Sequence, residues 1–283
     1  LKKSSKEFLE VGRNRARLDS VAKQSLIELT FSYRIPLVES VIAIIAYVSA
    51  ISVFIVAFQT LGMNVSPGDP LYNGTEMVLE YQQTVNTRAT MSYVLALSNC
   101  WIFFTIFIPL FFAFTFARTF EDGTLRTFLT YPIDRTTLLV VKMVVSVAVV
   151  SVPTAVIPLL WITAFFPPET VVSHLGIVCV SMILSTTLIV ATSLVLSVAS
   201  KDGASTAVVG VLLWTGLSSL SSLPTMPPVV LMVASPIRMV SNYVAGVYEG
   251  MLYSDLFLLL LGSLAVTVMF CIIAVGLFRR QDI

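Results

Sequence analysis

The side chains equipped for polar chemistry gather in one stretch, residues 118–142, which reads RTFEDGTLRTFLTYPIDRTTLLVVK. Glu121, Asp122, Thr124, Arg126 and Arg135 supply acids, a hydroxyl and guanidinium groups there. Their chemistry is that of capping and recognition. A helix starting near Asp122 or Thr124 would carry an acid or a hydroxyl as its N-cap. Thr124, Leu125, Phe128 and Leu129 would then share an apolar face able to enter a groove on a soluble partner, with Arg126 and Arg135 at the rim. Pro132 ends such a helix, and Ile133-Asp134-Arg135 turns the chain onward. The alternative is an amphipathic loop that only lies on a membrane surface.

The rest of the chain offers little to catalysis. Its one histidine, His174, stands at the edge of an apolar run. There is no H-E-x-x-H, no G-x-S-x-G and no pair of acids inside an apolar run, so the parts of an intramembrane protease or a lipid transferase are missing. There is no G-x-x-x-x-G-K-[ST], so the chain has no P-loop with which to bind a nucleotide. Cys100, Cys179 and Cys271 all fall in apolar runs without metal or disulfide spacing, and read as small apolar side chains. A net charge of +1 gives no nucleic-acid footprint. The expectation is a chain with no catalytic residues, no metal and no cofactor of its own.

The elements around the polar stretch are membrane spans. Hydrophobic residues make up 57% of the 283 and charged residues 12%, against about 25% charged in a soluble domain. Six apolar runs, 36–58, 93–117, 138–165, 174–199, 205–223 and 256–278, match the roughly 20 residues a helix needs to cross. The alternation expected of barrel strands is absent. The fold class is therefore all-α integral membrane, a single domain over 1–283.

Orientation follows from the basic residues. With the N-terminus inside, all 17 Lys and Arg except Arg88 and Arg238 fall on the inner side, which places both termini in the cytoplasm and the chain in the cell membrane as a multi-pass protein. No cleavable signal peptide is visible in the first 30 residues.

Within 1–35, residues 17–34 have helical apolar spacing and suit a helix in the inner interface, in preference to a plain extension of the first span. The outer loop 60–92 carries two glycosylation triplets, at Asn64 and Asn73, whose placement is permissive only. Residues 223–234 hold Pro224, Pro227 and Pro228 and are too short to cross, which fits a re-entrant hairpin in the outer leaflet. Residues 237–254 follow as an outer connection, partly helical. Only Glu39 among acidic residues enters a span, near its inner end, where it reaches the interface or pairs with Arg34; a functional acid is the rarer reading. Ion-coupled carriers usually need a central charge, so its lack weighs against them.

The stretch 118–142 resembles the cytoplasmic coupling region of ABC-2 type permeases, the membrane subunits of a class of ATP-binding cassette exporters. That pattern runs acid-x-Gly-Thr-Leu, two apolar residues, a proline, a basic residue and a lysine at the third span. Glu121, Gly123, Thr124, Leu125, Phe128, Leu129, Pro132, Arg135, Leu138, Leu139 and Lys142 occupy those places. The family often has a further acid two residues before the glutamate, where this chain has Thr119.

The resemblance implies an ATPase-coupling helix carried by Glu121, Asp122, Gly123, Thr124, Leu125, Phe128, Leu129, Pro132 and Arg135. It also implies two copies of a separate ATPase subunit that bind ATP and Mg, and a second permease copy in a homodimer or close heterodimer, set among membrane lipids. It further implies that spans two and five face the dimer axis. Trp101, Phe104, Phe107 and Phe111 of span two, with Ser218, Ser219 and Ser222 of span five, would then border the translocation path. An uncharged path favours a lipophilic or amphiphilic cargo such as lipid, drug, peptide or glycoconjugate. The alternatives are an ion-coupled carrier or channel, and a membrane scaffold that transports nothing.

Overall fold

The computed structural model describes residues 23, 26, 27, 36–61, 76–122, 135–166, 175–221, 223, 226–244, 246–248 and 250–280. Its elements are α1 (Pro36–Leu61), α2 (Glu76–Phe112), a π-helical turn (Ala113–Ala117), α3 (Arg118–Glu121), α4 (Arg135–Phe165), α5 (Leu175–Ser200), α6 (Gly203–Ser221), α7 (Pro228–Ala234), α8 (Pro236–Val244) and α9 (Tyr253–Arg280). The π turn and α3 continue α2 without a break. Among the described residues there is no strand. Six helices, α1, α2 with its π turn, α4, α5, α6 and α9, are long and apolar enough to cross a membrane.

Burial separates inner from outer helices. Of the apolar windows, 67% in α2 and 61% in α5 is buried, against 22% in both α6 and α9. α2 packs against α1, α4, α5 and α6, and α5 packs against α9 as well. Small hydroxylated residues let α5 take this central place. Ser181, Ser185, Thr186, Thr192 and Ser197 are buried, and each hydroxyl donates to a carbonyl one turn back. In a medium without water, that satisfies the hydroxyl and permits close helix approach. Between helices, the Ser151 and Thr186 hydroxyls meet at 2.7 Å, Asn99 Nδ2 donates to Ser52 Oγ at 2.8 Å, and the Tyr93 hydroxyl donates to the Ala155 carbonyl at 3.2 Å.

The structure corrects the sequence expectation in two places. The second span was expected from Tyr93 after a loop over 60–92, but α2 already begins at Glu76. No glycine or proline interrupts 76–93, and Val85, Ala89, Thr90, Ser92 and Tyr93 form a buried face. The polar residues between them dilute the hydropathy without breaking the helix. Arg88, expected in a loop, therefore lies on this helix, within the apolar stretch Val85–Ala117.

The second correction concerns 237–254, expected as an outer connection, partly helical. α7 and α8 are two short helices, each beginning with a proline, which costs nothing at a first turn. They break at Ser235, whose φ of −163° and ψ of 84° are not helical. α8 is no surface connection: Ile237, Met239 and Val240 are fully buried, and the Ile237 amide donates to Ser185 Oγ of α5 at 2.9 Å.

Of the expected interfacial helix over 17–34, Lys23, Leu26 and Ile27 are helical and exposed, and the rest lies outside the described residues, as do Arg34, Asn64, Asn73 and His174. Glu39 is exposed in the first turn of α1.

Candidate functional site

The polar stretch leaves the bundle at the end of α3 and returns at the start of α4. α2 approaches this end through two irregularities. Pro109 removes a helical donor, and the next turn, Ala113–Ala117, is π-helical, with the Arg118 amide bonding to the Ala113 carbonyl. The helix stops at Asp122, whose φ of −74° and ψ of −5° end the last turn. Asp122 is the C-cap of α3, and its carboxylate lies 3.6 Å from Arg118 Nε, one turn back; the helix for which it was a candidate N-cap lies outside the described residues. Both side chains are more than half exposed, so this pair adds little stability.

Glu121 points back into the chain. One turn of backbone joins α5 to α6: Lys201 takes a φ of 55°, and its amide bonds to the Ser197 carbonyl at 3.1 Å. Asp202 then caps α6. Its carboxylate accepts from the Ser205 amide at 2.8 Å and the Ala204 amide at 3.3 Å, and also from the Ser205 hydroxyl. The remaining first-turn amide, on Gly203, donates to Glu121 Oε1. Two carboxylates thus serve the donors that a helix start leaves unmatched, at its electropositive end. The Asp202 carboxyl is held down at about 2, by the Ser205 hydroxyl first. Glycine at 203 suits the close approach, since a Cβ there would sit 3.3 Å from the Ala113 carbonyl oxygen of the π turn.

The other root of the stretch is fastened too. Arg279, in the last turn of α9, donates from Nε and Nη2 to Thr136 Oγ1 in the first turn of α4, both at 3.1 Å. Beside these bonds Phe116, Phe120 and Phe278 form a ring cluster with centroid separations of 5.4, 6.0 and 6.2 Å. It joins the end of α2 and α3 to the end of α9.

Neither the protein-family models nor the curated proteins give a match to this chain.

The structure places the expected site residues unevenly. Glu121 and Asp122 are at the end of α3, and Arg135 opens α4. Gly123, Thr124, Leu125, Phe128, Leu129 and Pro132 lie outside the described residues. Of the expected path residues, Trp101, Phe104, Phe107 and Phe111 are buried within one chain. Trp101 meets Trp214 of α6 edge-on, with centroids 6.3 Å apart, and Trp214 Nε1 donates to Thr192 Oγ1 at 2.8 Å. Phe107 and Phe111 border a crevice with Ile108, Ser146, Val149 and Val150 that has no room for a water molecule. Ser218 is buried, Ser219 is exposed, and Ser222 is outside the described residues.

Sequence reasoning did not single out Asp202, Gly203, Thr136 or Arg279. Asp202 with Ser205 before an apolar run carries a helix-start signal that marks the cap. The partnerships with Glu121 and between Thr136 and Arg279 have no such signal.

Proposed function

We propose that this chain is the membrane-spanning permease subunit of an ABC-2 type transporter, driven by a separate ATPase subunit. The observation that carries the reading is the junction at the polar stretch. Its sequence pattern is that of a coupling helix, and both its roots are tied to further spans, Glu121 to α6 and Thr136 to α9. A segment merely resting on the membrane has no need of such ties. In this reading the ATPase pair binds ATP and Mg, closes, and pushes on the stretch, and this chain supplies the path and no catalytic residue. The uncharged lining favours a lipophilic or amphiphilic cargo.

The test is copurification of the tagged chain with a P-loop ATPase, followed by transport in reconstituted vesicles. Leu125→Asp is expected to abolish ATP-driven transport while the chain still inserts and folds. Transport that survives deletion of the ATPase, driven by an ion gradient alone, would replace this reading with an ion-coupled carrier or channel. Absence of both ATPase stimulation and flux would leave a scaffold.

A further inference from the structure

We infer that a push on residues 122–134 reaches four spans, because Glu121 fastens α6 to the outgoing root through the Gly203 amide and Thr136 fastens α9 to the returning root through the Arg279 guanidinium. This rests on the permease reading for the push, but not for the fastening.

Covalently, the stretch is attached to α2, through α3, and to α4. A force on it would move those two helices and leave the others to follow by packing. α6 and α9 are the two least buried spans, each with 22% of its window inside the bundle. They present the smallest share of their surface to the bundle, and both are bonded to the stretch at its roots.

On α6 the bond completes a seam. Its buried residues Thr206, Gly210, Trp214, Ser218 and Ser221 recur at helical spacing. Gly210 lies against Pro109 and Trp214 against Trp101, and Gly203 meets Glu121 at the end of the same face. Contacts at three levels make α6 travel with α2. On α9, the ring cluster of Phe116, Phe120 and Phe278 backs the Arg279–Thr136 bonds.

Glu121 is exposed, so its rival role is as a charge that docks to a basic partner. The two roles need different chemistry. The Gly203 amide needs an acceptor oxygen, which glutamine also supplies, whereas a docking charge needs the carboxylate. Glu121 and Thr136 are thus positioning residues.

The test uses the full chain in lipid nanodiscs, alone and with its copurified ATPase. In hydrogen exchange, Glu121→Ala is expected to speed the Gly203 amide by about tenfold while leaving the last turn of α9 unchanged. Thr136→Val is expected to do the reverse, speeding the last turn of α9 by about threefold, and Thr136→Ser to restore it. In the assembled transporter, Glu121→Ala is expected to keep ATP turnover and lose most transport per ATP, with Glu121→Gln close to the native ratio. Unchanged exchange in Glu121→Ala overturns the fastening at α6, and unchanged exchange in Thr136→Val overturns it at α9. A Glu121→Gln variant as uncoupled as Glu121→Ala assigns Glu121 to charge docking and overturns its positioning role. If no ATPase copurifies, the permease reading fails and the push with it, while the exchange results still decide the two fastenings.

Discussion

Gly210 of α6 lies so close to Pro109 of α2 that a Cβ built on the glycine would come within 2.7 Å of the proline Cβ. The proline ring cannot swing aside, so Gly210→Ala must push the two helices apart. We expect it to destabilise the bundle by about 1–3 kcal/mol, the usual range for overpacking. Gly216→Ala is the control, because nothing lies within 4 Å of a Cβ there. It should be neutral, or gain up to about 1 kcal/mol in helix propensity. Gly262 abuts the Met232 side chain, which can rearrange, so Gly262→Ala should fall between the two. Thermal unfolding of the purified variants in one detergent orders them. A Gly210→Ala chain as stable as the native one would mean that α2 and α6 do not meet there.

The two tryptophans that meet edge-on should respond unequally to loss of their indole N–H. Trp214 Nε1 donates to Thr192, whereas Trp101 Nε1 is buried with no hydrogen-bond partner among the described residues. Trp214→Phe therefore loses a hydrogen bond, worth on average ~0.6 kcal/mol between membrane helices, in addition to indole packing. Trp101→Phe loses packing alone and removes an unmatched donor. Unfolding measurements should rank Trp214→Phe as the more damaging, and the opposite order would contradict the assignment.

The cap of α6 should resist acid. The Asp202 carboxyl is depressed to about 2, below the ~3.9 of a free aspartate. A depressed carboxylate contributes stability that is complete above the unfolded value and is lost as the pH falls through the folded one. The cap should thus stay intact down to about pH 3 and open as the pH approaches about 2. The carboxyl carbon shift of Asp202, followed by NMR, reports the midpoint. Since the Ser205 hydroxyl is the largest cause, Ser205→Ala should raise the midpoint toward ~3.9. A native midpoint near that value would show that Asp202 does not cap.

Thiol labelling should separate the three cysteines. Cys100 is fully buried in α2, while Cys179 and Cys271 are partly exposed. A membrane-permeant maleimide should modify Cys179 and Cys271 in the folded chain and reach Cys100 only after denaturation, as read by mass spectrometry of peptides. Early labelling of Cys100 would argue against the packing of α2.

The spans were legible because a run of about 20 apolar residues has few other uses. The polar first turns of α2 were not. Gln82, Gln83, Asn86 and Arg88 lower the hydropathy just where Val85, Ala89 and Tyr93 keep a buried helical face. Prolines and a poor fit to span length marked 223–234 as unusual, but the helix that follows it, α8, is joined at Ile237 to Ser185 of α5, 52 positions away. Glu121 stood out by its motif. That Gly203, 82 positions later, donates to it is a matter of helix packing, which local spacing does not encode.

The π turn Ala113–Ala117 has a consequence for the aim of everything beyond it. An α-helix advances about 100° per residue, and a π turn takes up one residue more than an α turn. Glu121 therefore owes its azimuth to that surplus residue. Winding the same five residues as a plain α turn would leave the composition and hydropathy of the helix unchanged. It would rotate the carboxylate by about a quarter turn, away from the Gly203 amide. The helix carries in its phase, and not in its composition, the information that lets its end meet α6.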